Sequence, residues 1–558
     1  MRLNSLLALL VAVGMTLSGC GGGGSTSTDP VIPPTEIDVN VTITDTSPYQ
    51  VESLGTANTI NASVSLGNTI RDLYLVLSNS ATTSAASTIT HNAKVSAAAQ
   101  AKTVLSTDVT EKSPILHHPQ YVEEFNDQIG TLLSKAEENQ FQAKIVAVPE
   151  RMEDIAGTST GIFYRSSDTT DPTAATARKV ISVTTNFGVK TLNIWVSNDS
   201  FSGPGCTTDK CVTQDMVDAL ADTFLKSAST NDDIYDWVTN IYGEEWNNDA
   251  EAKYSYLIPA NDEITILLTD IDDDGLPTSG EGRVVGFFWA KDNFDKNVIS
   301  GSNQRVMFYI DAVMFANGET TWSIDDAWPK EIVSTLAHEF QHMIHYYQKN
   351  ILRYATIYDN TDTWINEMLS ESTEDIIATK IGHSVEGRYP TFNENNTLSL
   401  TSWNSILADY SKVNVYGAYL LRNYGGAQVL HDIMHNSFDD KQAVVYAVNQ
   451  PPNVPGKTFA NLLSEWGVAV MLSDHDNLDA TTPVYNIGGL FDDYYGSTLY
   501  EMNSINFFNY DQGPKTYTIA GTIQPQGNYY YKIGDNVTGD INITLELNGQ
   551  TEATLIAR

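Results

Sequence analysis

The segment EIVSTLAHEFQHMIHYYQKN restricts the fold more than any other feature, because it places two histidines four residues apart within an apolar helical pattern. His338 and His342 then project from one face of a helix, about 6 Å apart along its axis. Both imidazoles can bind one zinc ion, and Glu339, rotated about 100° from His338, can reach a water at the metal. The same segment has an apolar stripe, formed by Ile332, Leu336, Phe340 and Met343.

A catalytic zinc site needs a third protein ligand and one open position. His345 lies about 10 Å along the axis from His338, too far for one ion to touch all three histidines on a straight helix. The metzincin spacing is excluded, because it would need glycine and histidine where this chain has His345 and Gln348. Glu367, on a second predicted helix, is the better third ligand. Glu371, one turn later on the same face, is placed to accept the outer N–H of a ligand histidine.

HEFQHMIH followed by TWINEMLSE resembles the gluzincins, and most closely the hyicolysin-type metallopeptidases. The similarity extends from about Thr191 to Trp466 and includes ITILLTDIDDDG, VVGFFWAKDNF, VMFYID and VYGAYLLRNYGG. The resemblance implies a zinc site with the ligands His338, His342 and Glu367. It also implies that Glu339 is the general base in the hydrolysis of peptide bonds.

The resemblance implies further features of the site. A GAMEN-like segment, with which aminopeptidase relatives hold a free amine, is lacking, which favours internal cleavage of proteins or peptides. Related gluzincins place a tyrosine at the start of the helix that follows the third ligand, which implies Tyr416 as the oxyanion donor. Tyr410, Tyr419 and His431 compete with it for this role. We expect the strand from Arg305 to Asp311, ahead of the zinc helix, to bind the substrate backbone at a sheet edge.

The N-terminus has the pattern of an export signal. Arg2 precedes an apolar run from Leu6 to Met15, which is too short to span a bilayer. The following LSGC resembles the lipobox of bacterial lipoproteins, which implies a signal peptide at 1–19 and lipidation of Cys20. Residues 20–35 are rich in Gly, Ser and Pro and predict a flexible tether. We expect a cell-envelope lipoprotein at the outer membrane or cell surface, or released from it; an ordinary cleaved signal ending in cysteine is the alternative.

Two further motifs involve cysteines and acidic residues. Cys206 and Cys211 lie five residues apart in a Gly/Pro loop and predict a small disulfide in an exported chain. The DIDDDG segment and the glutamate after it match a calcium loop, with the ligands Asp270, Asp272, Asp274 and Glu281. Predicted strands flank this loop, so EF-hand helices are not expected, and an acidic turn without calcium is the equal alternative.

The charge of the chain bears on its partners. Asp and Glu number 69 against 31 Lys and Arg, a formal net charge of −38. A surface this acidic repels phosphate backbones, so we expect no nucleic-acid partner. The other expected partner is a membrane, reached through the N-terminal lipid anchor.

The pattern along the chain predicts an α+β fold. Strand patterns followed by a block of helices predict a gluzincin-like catalytic unit at 141–475. Alternating polar and apolar residues predict two small all-β domains, one at 36–115 and a sandwich-like one at 500–558. A helical connector is expected at 116–140.

Two other functions are compatible with these patterns. One is a surface adhesin whose β domains bind a partner and whose metal site is structural or vestigial. The other is an aminopeptidase-like exopeptidase. The complete set of zinc ligands and general base argues against the adhesin.

Overall fold

The computed structural model describes residues 35–93, 119, 121–127, 153–165, 172–206, 210–226, 231–271, 284–353, 360–475, 485–487, 491–510 and 513–558. Its strands are β1 (Glu36–Thr42), β2 (Gln50–Thr56), β3 (Thr59–Ser65), β4 (Arg71–Asn79), β5 (Ala85–Ala86), β6 (Thr88–His91), β7 (Thr160–Tyr164), β8 (Pro172–Thr185), β9 (Gly188–Ser197), β10 (Glu263–Thr269), β11 (Gly286–Phe288), β12 (Met307–Asp311), β13 (Phe491–Tyr495), β14 (Thr498–Met502), β15 (Thr522–Ile523), β16 (Gly527–Val537), β17 (Asp540–Glu546) and β18 (Thr551–Ala557). Its α-helices are α1 (Gln214–Phe224), α2 (Ile234–Tyr242), α3 (Asp249–Lys253), α4 (Ala312–Phe315), α5 (Ala327–His345), α6 (Thr363–Ile381), α7 (Arg388–Asn395), α8 (Leu407–Asn423), α9 (Ala427–His435), α10 (Gln442–Val448) and α11 (Phe459–Met471). A π-helical turn, Tyr346–Ile351, continues α5.

A six-stranded sheet with the order β11-β12-β10-β9-β8-β7 precedes the helical block. β9, β10 and β12 run parallel, whereas β7, β8 and β11 pair antiparallel with their neighbours. The strand predicted within Arg305 to Asp311 is β12, and it lies between β11 and β10. The prediction that it forms the sheet edge is therefore wrong, because β11 pairs with β12 and takes the edge itself.

Helix α5 packs on this sheet, against β11 and β12, through its apolar stripe. Leu336 and Phe340 are fully buried. The Phe340 ring meets Phe224 and Phe308 with centroids 5.1 and 6.4 Å away. Full burial of a side chain of this size contributes about 1.5–3 kcal/mol. The helix predicted from the 3.6-residue spacing is confirmed, and its apolar stripe is the face that packs on the sheet.

Helix α6 packs against α5 on one side and α8 on the other. Gly417 permits a close approach, since a Cβ there would lie 2.0 Å from Ser372 Oγ and 3.3 Å from the Met368 carbonyl oxygen. Arg422 on α8 donates two hydrogen bonds, of 2.6 and 3.2 Å, to the carboxylate of Asp375 on α6. This buried bidentate pair fixes α8 against α6.

The two ends of the chain form one β-sandwich. One sheet has the order β1-β3-β17-β6 and the other β16-β4-β18-β2. The two separate β domains predicted at 36–115 and 500–558 are therefore one unit. Each segment alone would leave strand edges unpaired, and the other segment supplies the pairing strands.

Strand β4 joins this sandwich to the part of the chain that contains α5 and α6. Leu73, Leu75 and Leu77 face the sandwich interior. Tyr74 and Val76, on the opposite side, belong to the core that also contains α5 and α6. Successive side chains of a strand point to opposite faces, so one apolar strand serves two cores. The chain is thus a mixed helix and sheet structure whose sandwich packs on the helical part through α11.

Further sequence predictions concern the chain start and its loops. Cys206 and Cys211 form a disulfide with their Cα atoms 6.2 Å apart. Within the described residues, no helix is both long and apolar enough to cross a bilayer. Cys20, the signal peptide and nearly all of the tether lie outside the described residues. Of the connector predicted at 116–140, residues 121–127 are described as a helix.

Candidate metal centre

Two helices bring together the three candidate metal ligands. His338 and His342 project from one face of α5, with ring centroids 4.8 Å apart. Glu367, near the start of α6, directs Oε2 to within 3.3 Å of His338 Nε2 and 3.5 Å of His342 Nε2. All three side chains are buried, and their ligand atoms lie within 4.8 Å of one another. The structure therefore assembles the three residues that the sequence predicted.

These spacings fit a zinc ion. Ligand atoms about 2.0–2.1 Å from a tetrahedral zinc ion are about 3.3–3.4 Å apart. The separations of 3.3 and 3.5 Å from Glu367 Oε2 match two edges of that tetrahedron. Two imidazole nitrogens and one carboxylate oxygen are also the donor set of many catalytic zinc sites. The residues present thus fit the metal.

Glu339 lies on α5 between the two histidines and is fully buried. Its Oε2 accepts a hydrogen bond of 2.7 Å from the backbone N–H of Phe288, the last residue of β11. Burial raises the pKa of Glu339 well above its usual value, while His338 and the Phe288 amide act in the opposite direction. The sheet edge therefore fixes the orientation of this carboxylate beside the ligands.

The outer nitrogen of His338 has a carboxylate partner on α6. Nδ1 lies 2.8 Å from Glu374 Oε1, and Glu374 also accepts a 2.8 Å hydrogen bond from Ser334 Oγ. Burial disfavours a charged imidazole, yet the hydrogen bonds with Glu367 and Glu374 raise the pKa of His338 to about 10. Glu374 thus orients the ring so that Nε2 faces Glu367.

Glu371 was predicted to accept this histidine hydrogen bond, and the structure gives it different partners. Its carboxylate accepts hydrogen bonds from the buried Arg388 guanidinium at 2.8 and 3.2 Å. It also accepts one of 3.2 Å from Asn414. The prediction is corrected in favour of Glu374, because α7 brings Arg388 to Glu371 and the next turn of α6 meets His338.

A second group of possible ligands overlaps the first. His338, Glu371 and Glu374 also have ligand atoms within 4.8 Å of one another. Arg388 already places a positive charge on Glu371, which disfavours a divalent cation there. The first group, by contrast, borders a pocket through His342 and Glu367. An accessible position is what a catalytic metal requires.

Tyr416, the predicted oxyanion donor, packs among aromatic side chains. Its fully buried ring packs against Trp466, with centroids 5.3 Å apart. Burial and then Glu465 raise its pKa far above the usual value. For Tyr410, a competing candidate, burial and then Glu367 raise the pKa. Of these two tyrosines, Tyr410 is therefore the one whose pKa the charge of a candidate ligand raises.

Tyr419 and His431, the remaining candidates for the oxyanion donor, interact with other parts of the molecule. Tyr419 is directed to Tyr424 and Glu465, with hydroxyl contacts of 3.4 and 3.3 Å. His431 is on α9, where its ring stacks on His435 with centroids 4.1 Å apart. Neither interaction involves a candidate metal ligand.

The pocket beside the metal site has walls that the sequence did not indicate. Tyr346, in the π-helical turn, lines it next to His342 and His345. Glu123 and Asp127, from helix 121–127, line it opposite Glu367. They come from a segment with no recognisable motif, far upstream in the chain, so only their amphipathic spacing marked them as helical.

These two acidic side chains differ in their exposure to water. Glu123 is buried, and burial and then Glu367 raise its pKa to about 7, against hydrogen bonds from Ser405 and Trp403. Asp127, at the exposed end of the helix, accepts a hydrogen bond of 2.9 Å from Thr363 Oγ1. Helix 121–127 thus adds two carboxylates to the one that Glu367 supplies to the pocket.

Of the four predicted calcium ligands, Asp270 is described and the other three, Asp272, Asp274 and Glu281, lie outside the described residues. The backbone oxygen of Asp270 accepts a hydrogen bond from Arg165. Calcium at this loop stays a prediction.

A known metalloprotease is similar to part of this chain. Neutral metalloprotease ShpI from Staphylococcus hyicus is 26% identical over 254 residues, which are 42% of this chain and 55% of that protein. The chain thus spans about half the length of this relative.

Two solved structures show weak likeness. They are an M1 zinc metallopeptidase mutant from Deinococcus radiodurans (11% identity, 52% of this chain and 49% of that chain) and a two-domain M1 zinc metallopeptidase mutant bound to L-arginine (12% identity, 52% and 47%). Their TM-score of 0.24 is too low to bear on the fold.

The family model described as Peptidase M30 matches residues 169–473, which include β8 to α11 and every candidate metal ligand. Because this match covers more than half of the chain, the protein belongs to the Peptidase M30 family.

Proposed function

We propose that the protein is an exported, lipid-anchored zinc endopeptidase that hydrolyses peptide bonds in extracellular proteins. The observation that supports it best is that Glu367 Oε2 lies 3.3 and 3.5 Å from the Nε2 atoms of His338 and His342, beside the buried carboxylate of Glu339. Membership of a metallopeptidase family supports the same reaction class.

The proposed chemistry gives each polar group a role. Zinc, when held by His338, His342 and Glu367, supplies a Lewis acid that polarises the scissile carbonyl and acidifies water. Glu339 takes a proton from the attacking water as its oxygen bonds to the carbonyl carbon. It then delivers that proton to the leaving amine nitrogen as the C–N bond breaks. The Phe288 amide keeps the carboxylate in place for both transfers.

Two further groups support this reaction. Glu374 holds His338 through Nδ1, which fixes the tautomer that exposes Nε2 to the metal. Tyr410 is our proposed hydrogen-bond donor to the oxyanion, because its ring packs against Trp403, whose indole N–H donates to Glu123 in the wall of the pocket.

The finer parts of the proposal rest on the sequence. Internal cleavage is favoured by the lack of a GAMEN-like segment, and export with lipidation of Cys20 by the lipobox. Calcium at the loop that begins at Asp270 would be a structural addition.

The test is cleavage of a protein substrate by the wild type and by Glu339→Gln. We expect the variant to keep its zinc and to lose about 10²–10⁴-fold in rate, the usual contribution of a general base. Glu331→Gln, on the same helix but paired with His383, is the matched control and should cleave normally. Equal cleavage rates for the wild type and Glu339→Gln would rule out the proposed peptidase mechanism. End-group analysis of the products separates internal cleavage from release of terminal residues.

A further inference from the structure

Helix 121–127 lines the pocket beside the candidate metal site. It lines the pocket with Glu123, Asn126 and Asp127, opposite His342 and Glu367. The space left between them is about 40 Å³. One water needs about 10–15 Å³ in this measure, so the pocket holds a few waters at most and no peptide.

Asn126 engages the backbone of the sheet edge beside the metal site. Its Nδ2 donates to the carbonyl oxygen of Phe288 at 3.1 Å, and its Oδ1 accepts from the N–H of Ala290 at 3.0 Å. One residue of an added parallel strand would make the same two bonds, through its own N–H and C=O, with residues two apart on the edge strand. The side-chain amide of Asn126 therefore occupies the hydrogen-bonding position of a substrate backbone.

Residues ahead of and at the start of α6 also hydrogen-bond to helix 121–127. Asn360 Nδ2 donates to the backbone oxygens of Asn126 and Asp127, at 3.3 and 2.6 Å. Thr363 Oγ1, at the start of α6, donates to Asp127 Oδ2 at 2.9 Å. The helix thus bridges the sheet edge and the helix that supplies Glu367.

Side-chain packing completes the anchorage. The Phe125 ring meets Trp289 edge-on, with centroids 5.9 Å apart, and Val122 is fully buried. Glu123 accepts hydrogen bonds from Trp403 and Ser405, in the loop ahead of α8. The helix is therefore docked on three sides of the cleft.

We propose that residues 121–127 act as an intramolecular inhibitor, which fills the substrate cleft and leaves it when a peptide binds or when the segment is removed. The inference rests on the proposed peptidase function, whose regulation it specifies. A permanent wall that shapes subsites is the competing role, and the small remaining space argues against it.

The test uses the full chain. Asn126→Ala removes both bonds to the sheet edge, and we expect kcat/KM on a short peptide to rise about tenfold, mainly through a lower KM. Asn92→Ala is the matched control, because Asn92 accepts one 2.8 Å bond from the Asn542 N–H in the β-sandwich. It should leave kcat/KM unchanged. Unchanged or lower kcat/KM in a folded Asn126→Ala protein would overturn the inference.

A second measurement on the wild type does not depend on the variant folding. Amide hydrogen exchange is followed with and without a saturating peptide hydroxamate, which binds a metal-containing cleft. We expect faster exchange in residues 121–127 with the inhibitor bound, and equal or slower exchange would contradict the inhibitory role. If Glu339→Gln cleaves like wild type, the proposed function fails; if it is inactive and Asn126→Ala is no faster, only the inhibitory role fails.

Discussion

Glu374 and Glu371 lie one turn apart on α6, and the structure predicts that truncating Glu374 lowers the zinc affinity whereas truncating Glu371 lowers the free energy of unfolding. Glu374 accepts hydrogen bonds of 2.8 Å from both Ser334 Oγ and His338 Nδ1. Glu374→Ala leaves the His338 ring without this acceptor in a buried site. Loss of such a partner weakens metal binding about 10–100-fold, which corresponds to about 1.4–2.8 kcal/mol. Glu374→Gln keeps an acceptor oxygen and should retain most of the affinity.

Glu371→Ala should act on folding instead. Its carboxylate pairs with the guanidinium of Arg388, a residue that is 8% exposed, so truncation leaves an uncompensated buried charge. Removing one partner of such a pair costs about 3–5 kcal/mol. The folded fraction should still bind zinc with nearly the wild-type dissociation constant.

Two assays separate these effects. Zinc affinity is measured by competition with a chromophoric chelator at fixed pH, and the free energy of unfolding by urea titration of the metal-free protein. Glu374→Ala should change mainly the zinc affinity and Glu371→Ala mainly the free energy of unfolding. Unchanged zinc affinity in a folded Glu374→Ala protein, or the reverse pattern between the two variants, would refute the assignment.

Contacts of Lys349, Gly417 and Tyr410 lead to three more predictions. Burial lowers the pKa of Lys349 from 10.5 to about 7. Between pH 7 and 10.5 the unfolded chain therefore binds more protons than the folded protein, so the free energy of unfolding should rise with pH by an amount on the order of 3–5 kcal/mol. Lys349→Met should abolish this rise, measured by urea unfolding across that pH range. Gly417→Ala should lower the free energy of unfolding by about 1–3 kcal/mol through overpacking, whereas Gly387→Ala, where a Cβ meets nothing within 4 Å, should not. Tyr410→Phe should lower kcat about 10²–10³-fold at unchanged zinc content, and equal rates in Tyr410→Phe and Tyr416→Phe would contradict the oxyanion assignment.

The metal site was accessible to sequence reasoning because its spacing is local. His338 and His342 share a helix face by geometry alone, and Glu367 follows on the next long predicted helix. The carboxylate that hydrogen-bonds His338 Nδ1 could not be predicted as reliably from the sequence. Glu371 and Glu374 lie on one face of α6, and the choice between them depends on Arg388, which a separate helix supplies.

Long-range pairing limited the prediction of the fold. The alternating patterns located many strands, yet they do not encode which strands pair, so the sandwich shared by both chain ends was divided into two units. Likewise, β12 is an inner strand because β11 pairs with it, and no local pattern in the sequence encodes that pairing. Helix 121–127 was predicted as a connector, because its contacts with the cleft join residues distant in sequence.

The most direct test of the metal site is an anomalous difference map of the purified protein at the zinc edge. We expect one peak, about 2.0–2.2 Å from Nε2 of His338, Nε2 of His342 and a carboxylate oxygen of Glu367. A peak on the Nδ1 side of His338, between Glu371 and Glu374, would contradict this metal site.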